Sequence, residues 1–247
     1  NHPAWVAYAD QFKLSFRDVG GDDDLNAPVM LGGVLLTDDE AAAAWEGLDE
    51  GLNRINEEAV HVDPIKPWTA KDAAALDQRT IQQWIDSLQV TPHIKGAIAA
   101  QLAGDGGVAN DRASWLGNLA MVHGGGLEKY WSDSEVYRCA QGNQALARSL
   151  AETLKDKIVY ELPVKKVNVG RGVVTVTCAD GRTIECDDVV LAVPPTVWHK
   201  IEFTPGLPAS LKPQMGTNTK YLTKVKSRYW RDAGRGQYAL ADGLFNW

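Results

Sequence analysis

Apolar residues recur at spacings of three and four through the first half of the chain and at spacings of two through a shorter stretch beyond it. The pattern predicts helices first and strands afterwards. Residues 1–36 stand apart and read as extended structure around a polar loop. Positions 12–16 alternate apolar and polar, 20–24 form a turn cluster that includes Asp22, Asp23 and Asp24, and 28–36 read as a returning strand with Gly32-Gly33 as a bulge. From Thr37 the period lengthens. Thr37-Asp38-Asp39-Glu40 has the form of a capping box, in which a Thr hydroxyl and a Glu carboxylate satisfy the first free N–H groups of a helix. Trp45, Leu48, Leu52, Ile55 and Ala59 then make one apolar face. A second box is expected at 69–72, and a third helix capped by Asp77 with Ile81, Trp84, Ile85 and Leu88 inward. A fourth opens at Thr91-Pro92, where Pro suits the first helical position, and closes at the glycines of 104–107. A fifth is expected from an Asn110-Asp111 cap, with Leu116 and Leu119 inward, ending at Gly124-Gly125-Gly126.

The texture changes near residue 136. Gly142-Asn143-Gln144 precedes a helix with Leu146, Leu150 and Leu154 on one face. Strands follow at 158–169, 173–178 and 182–186, the last two joined by Asp180-Gly181, a turn that needs positive φ. The run 189–193, Val-Val-Leu-Ala-Val, ends in Pro194-Pro195. Proline lacks the N–H that a ladder requires, so the run reads as a buried strand leaving a sheet. Positions 217–226 alternate like a strand, followed by Tyr229-Trp230 and a glycine-rich turn. The expected fold class is α+β.

Composition narrows the function classes. The 247 residues suffice for one large domain or two small ones, and 45% hydrophobic content can fill a sizeable core. A net charge of −7 argues against a nucleic-acid partner. No apolar run approaches the roughly 20 residues that span a bilayer, so no membrane partner is expected. Cys139, Cys178 and Cys186 are odd in number and lack Cys-x-x-Cys spacing, which points to reduced thiols and a cytoplasmic location rather than a disulfide framework or a zinc site. The chain opens Asn-His-Pro without an initiator Met, as a processed or partial chain would, so targeting is not readable from it. His-Glu-x-x-His, Gly-x-Ser-x-Gly and P-loop patterns are absent, which excludes those routes to zinc peptidase, serine hydrolase and NTPase chemistry. Asp22-Asp23-Asp24 offers too few ligands for calcium.

The Pro-Pro strand continues into Ile201-Glu202-Phe203-Thr204-Pro205-Gly206-Leu207-Pro208, and this segment resembles the FAD-dependent amine oxidases: monoamine, polyamine and L-amino-acid oxidases and the flavin-dependent histone lysine demethylases. Three further segments are similar to that family and follow its order. They are Pro67-Trp68 with Leu76-Asp77 and Trp84, the Gly142-Asn143-Gln144 helix with Leu162-Pro163-Val164, and Gly216-Thr217-Asn218-Thr219-Lys220 with Tyr229-Trp230. Two features depart from it. The family's Gly-x-Gly-x-x-Gly phosphate turn is missing, and so is its C-terminal flavin-contacting segment. Gly234-Arg235-Gly236 fits the glycine pattern loosely, but it follows Tyr229-Trp230-Arg231-Asp232 instead of an apolar strand and reads as an ordinary turn. The chain is therefore expected to be an internal piece of a longer flavoenzyme.

The resemblance implies a substrate-binding domain, a mixed sheet flanked by helices, whose first part is 1–135 and second part 206–247. Residues 136–205 would be an inserted β-meander and strand of the FAD-binding domain. It implies oxidation of an amine or amino acid C–N bond to an imine, with dioxygen as acceptor and FAD as cofactor. Lys220 is the candidate catalytic residue, holding a water beside the flavin N5. From the residues alone it has rivals, since most lysines are solvated and Lys224 and Lys226 share its parity. Val164 is a candidate for the adenine end of FAD through its backbone, and equally a core strand residue. Pro194 and Pro195 would shape the turn facing the dinucleotide crevice. Trp230 is either near the flavin or a core aromatic, and His123 either lines a substrate cavity or is structural. Two alternatives stay open: a flavoprotein acting on C–C bonds, such as a protoporphyrinogen oxidase or desaturase, which would lack the lysine segment, and a non-catalytic protein-binding module on the same scaffold. The expected partners are a small-molecule amine and dioxygen, with homo-oligomers through exposed apolar surface. By itself the chain is expected to hold little or no FAD and to be inactive.

Overall fold

The computed structural model describes residues 2–20, 25–134 and 136–243; the aspartates of 22–24 lie outside them. In chain order the elements are α1 (Pro3–Gln11), β1 (Phe16–Asp18), β2 (Val29–Leu31), β3 (Val34–Leu35), α2 (Asp38–Ala59), α3 (Ala73–Gln78), α4 (Ile81–Ser87), α5 (Pro92–Gly106), α6 (Trp115–Gly124) and α7 (Glu128–Ser132). They continue with β4 (Tyr137–Cys139), α8 (Gln144–Thr153), β5 (Val164–Val169), β6 (Val174–Cys178), β7 (Thr183–Cys186), β8 (Glu202–Thr204) and β9 (Leu240–Ala241). Helices and strands together make the expected α+β class. The chain forms two compact units, one of Asn1–Ala147 with Gly216–Trp247 and one of Arg148–Met215.

The larger unit is built on α2. Its start is the expected capping box: the Thr37 hydroxyl accepts from the Glu40 N–H at 3.3 Å, and the Glu40 carboxylate accepts from the Thr37 N–H at 2.9 Å. That backbone hydrogen bond, with help from the Thr37 side chain, holds the Glu40 carboxyl below its ordinary range. A carboxyl lowered on folding stabilises the fold at pH above the ordinary carboxylate range, and that stabilisation is lost as pH falls through the lowered value. Thr37→Ala is therefore expected to lower the urea midpoint at pH 7, with the gap to the parent narrowing towards pH 3. A gap that is constant with pH would refute this account. Leu48, Leu52, Ile55 and Ala59 face inward as expected. On the same helix Gly47 and Gly51 let α5 approach closely, since a Cβ at either would stand 2.6 Å from Ile94 or Ile98.

Several expected starts and ends differ. The first residues are helical, because Pro3 opens α1 and Trp5 packs on Phe16 at a centroid distance of 5.5 Å. Gly32-Gly33 is not a bulge but the two-residue turn of a hairpin between β2 and β3, with Leu31 opposite Val34 and both glycines at positive φ, as a type I′ turn needs. Asp72 makes no side-chain cap for α3, while Thr80 caps α4 in its own box with Gln83 and Ser114 caps α6. Thr80 and Ser114 form an antiparallel bridge. The Ile81 N–H donates to the Ala113 carbonyl and the Trp115 N–H to the Arg79 carbonyl, so two helix starts satisfy each other's free donors. Asp77 instead accepts from the Ser114 hydroxyl at 2.7 Å, and Asn110 is buried with its amide donating to the Ala99 carbonyl. Ile81, Trp84, Ile85, Leu88, Leu116 and Leu119 are buried as expected. Trp84 and Trp115 stack at 4.5 Å, and both indole N–H groups donate to the two oxygens of Glu58 at 2.9 Å. A small sheet, β3-β2-β9 with β2 and β9 parallel, joins the end of the chain to this body.

The smaller unit holds a sheet of order β7-β6-β5-β8, antiparallel except for β5 and β8. Val167, Val174 and Val176 form its core. The turn after β6 closes by a Gly181 N–H to Cys178 carbonyl bond, with Gly181 at φ 89° as expected. Positions 158–163 are not strand. Two larger expectations also fail. The run 189–193 is neither strand nor buried, and Val190 is 89% exposed. Positions 217–226 are irregular and exposed, with Leu222 at 87%. Both patterns need neighbouring strands to supply hydrogen bonds and cover, and among the described residues none pairs with either.

Candidate functional site

Lys220 stands in an exposed, irregular stretch, and so do Lys224 and Lys226. The strand that was to turn it inward is absent, so parity does not separate the three. What separates Lys220 is its nearness to an anchor: the N–H groups of Thr217 and Asn218 donate to the Gly107 carbonyl at 2.9 and 3.3 Å.

Trp230 is half-buried in a 3-10 turn, Tyr229–Ala233, with its ring edge-on to Tyr229 at 5.3 Å. Gly234 ends that turn at φ 67°, and β9 follows where a dinucleotide motif would continue into a helix. The glycines of 234–236 therefore make a turn and no phosphate cradle. Arg235 pairs with Asp38 at 2.7 Å, and the Gly236 N–H donates to the Asn26 carbonyl at 2.8 Å, which locks this turn to the start of α2.

His123, half-buried in the last turn of α6, sits with Nδ1 2.6 Å from the Val62 carbonyl. A carbonyl only accepts, so Nδ1 carries the proton and Nε2 remains for another partner. The bond pins α6 to the turn after α2, where the N–H groups of Ile65 and Lys66, and to a lesser degree His123, hold the Asp63 carboxyl below its ordinary range.

Val164, Pro194 and Pro195 belong to the smaller unit. Val164 opens β5 opposite Cys178, with an irregularity before Lys166, and β8 covers β5 only from Lys166 onward. The Val164 end thus projects past its parallel neighbour, with a backbone edge that β8 does not cover. Pro194 is exposed, and Pro195 starts a 3-10 turn, Pro195–Lys200, that closes on itself: the Val197 N–H donates to the Pro194 carbonyl and the Trp198 indole to the Val193 carbonyl. Because β5 and β8 are parallel, this turn leads into β8 at the end of the sheet where Val164 begins β5. An uncovered backbone edge beside a proline turn fits the adenine end of FAD. The phosphate turn is not among these residues.

A concavity of about 60 Å³ lined by Asn26, Ala27, Asp38, Ala41, Ala42 and Trp45 is far below the roughly 300–1,000 Å³ of a small-molecule site, and none of the predicted site residues lines it. Among the described residues, two buried amide atoms have no protein partner, Asn110 Oδ1 and Asn118 Nδ2. Sequence reasoning passed over Asn118, which sits on the buried face of α6 among apolar residues with no motif around it. Among the described residues no cluster of His, Cys, Asp or Glu is placed to hold a metal, and no helix is long and apolar enough to cross a membrane.

The chain matches the family model described as flavin containing amine oxidoreductase over residues 2–245. It is 24% identical over 220 residues to "Probable flavin-containing monoamine oxidase A" of Dictyostelium discoideum, covering 80% of this chain and 45% of that protein. It is 26% identical over 196 residues to (S)-6-hydroxynicotine oxidase of Paenarthrobacter nicotinovorans, covering 76% of this chain and 44% of that one. Its fold is similar to that of wild-type putrescine oxidase bound to putrescine, with a TM-score of 0.80 at 18% identity, covering 99% of this chain and 58% of that structure. The chain spans about half the length of the relatives it matches. With the match running almost end to end, the chain belongs to the flavin-containing amine oxidoreductase family.

Proposed function

We propose that this chain is an internal part of an FAD-dependent enzyme that oxidises an amine or amino acid C–N bond to an imine, with dioxygen as the electron acceptor. The observation that carries the reading is the lysine-centred segment, Gly216 to Lys220, inside the family match. In this reading residues 1–135 and 206–247 are substrate-binding domain and 136–205 the inserted part of the FAD domain; the two compact units divide the chain instead after 147 and after 215.

When bound, FAD accepts a hydride equivalent from the carbon bearing nitrogen and passes the electrons on. The backbone edge at Val164 would meet the adenine end, and Pro194-Pro195 would shape the wall beside it. Lys220 would hold a water by hydrogen bonding and present a fixed positive charge where dioxygen gains electrons. Trp230 and His123 would belong to the walls, His123 with Nε2 as its available group. Support for the fragment reading comes from the exposed apolar run 189–193 and the alternating segment 217–226, whose patterns call for partner strands.

The full-length protein is expected to purify yellow, with flavin absorption, and to release hydrogen peroxide in proportion to amine consumed. The 247-residue chain by itself is expected to bind little FAD. Colourless full-length protein would overturn the assignment in favour of a binding module, and flavin without peroxide release from any amine would favour chemistry on C–C bonds.

A further inference from the structure

We propose that Gly107 and Gly216 are positioning residues for Lys220: their touching backbones clamp the lysine segment to the end of α5. This inference rests on the assigned role of Lys220. Gly107 is the cap of α5 at φ 62°, a left-handed conformation that glycine adopts without strain, and its N–H closes the helix onto the Ala103 carbonyl. That conformation leaves the Gly107 carbonyl free to point away from the helix, where it accepts both the Thr217 N–H at 2.9 Å and the Asn218 N–H at 3.3 Å. The approach is tight from both sides. A Cβ on Gly216 would stand 2.8 Å from the Gly107 carbonyl oxygen, and one on Gly107 would meet the Asn218 amide at 3.1 Å. The obstacle at Gly216 is backbone, so it does not yield by a rotamer change.

Position 220 follows Asn218 by two residues, so the clamp holds its Cα within about 7 Å of a fixed point. The helix supplying that point is itself fixed, with Ala97, Ile98, Ala100 and Leu102 in the core. The clamped segment buries little: Met215, Tyr221, Leu222 and Val225 are all exposed. The two bonds thus contribute little to a core and chiefly set where the segment leaves the body. A displacement of about 1 Å at a reacting group can cost about 100-fold in rate.

The test is made on the full-length flavoprotein by stopped-flow, measuring flavin reduction by amine and reoxidation by dioxygen separately. Amide hydrogen exchange at Thr217 and Asn218 is followed in parallel. Gly216→Ala is expected to remove protection at these two amides and to slow reoxidation about 10- to 100-fold, with reduction unchanged. In a Lys220→Met background the same change should cost nothing further, since neighbours acting through one group are not additive. Gly107→Ala, which strains the clamp from its other side, should repeat the pattern if the first variant is poorly folded. Slow reoxidation in Lys220→Met, with normal or additively slowed reoxidation in the glycine variants, would overturn the clamp and leave the lysine standing. Normal reoxidation in Lys220→Met would overturn the lysine's role and the positioning role with it.

Discussion

A Lys220→Met variant of the full-length protein is expected to reoxidise about 100-fold more slowly with dioxygen, while its reduction by amine keeps the parent rate. Met matches the length of the lysine stem and removes the charge and three donors, so packing changes little. The loss falls on the oxygen step because charge develops there. A preorganised cation in a water-excluded site stabilises that charge without reorganising, and removing one such group costs about 10²–10³ in rate. Lys220→Arg should recover only part of the rate, because the planar fork keeps the charge but cannot place a single water as an ammonium does. Lys224→Met and Lys226→Met should behave like the parent. These are the discriminating controls, since all three side chains are exposed in the same irregular stretch. Equal losses in all three would mean a general field of positive charge and not a placed group. No loss in Lys220→Met would remove the residue from the chemistry.

Trp115→Ala is expected to destabilise the fold by about 3–5 kcal/mol, read from denaturant midpoints. Trp115 is fully buried and stacked on Trp84. Truncation leaves a cavity between α4 and α6 and takes one of two indole donors from Glu58. For a domain whose whole stability is about 5–15 kcal/mol, that approaches unfolding. Trp115→Phe keeps most of the packing and loses only the hydrogen bond, so it should cost about 1–3 kcal/mol. Trp68 is the contrasting case: 69% exposed, it should change stability by less than about 0.5 kcal/mol when replaced by Ala. A Trp115→Ala variant as stable as Trp68→Ala would show that the Glu58-bridged pair is not central to this core.

Such contrasts mark where sequence reasoning reached and where it stopped. The inward faces of α2, α4 and α6 could be read because helical hydrogen bonds run four residues back, so spacing and burial are linked within one segment. The Thr37 box and the Thr91-Pro92 start are equally local. The local pattern points to Asp77 and Asn110 as caps instead of Thr80 and Ser114, because the real starts lie 34 positions apart and bond to each other. The runs 189–193 and 217–226 have strand patterns and no strand, because a pattern states only what a segment could pair with.

Family membership followed from short motifs in order, and it held because those motifs are local chemistry that a chain carries whatever its surroundings. The position of Lys220 did not follow, since alternation gave Lys224 and Lys226 the same claim. Two glycines 109 positions apart, one capping α5 and one preceding Thr217, distinguish it by a backbone contact. Contacts of that kind depend on how distant segments meet in space, and residue order encodes them only through the energy of the whole packed chain.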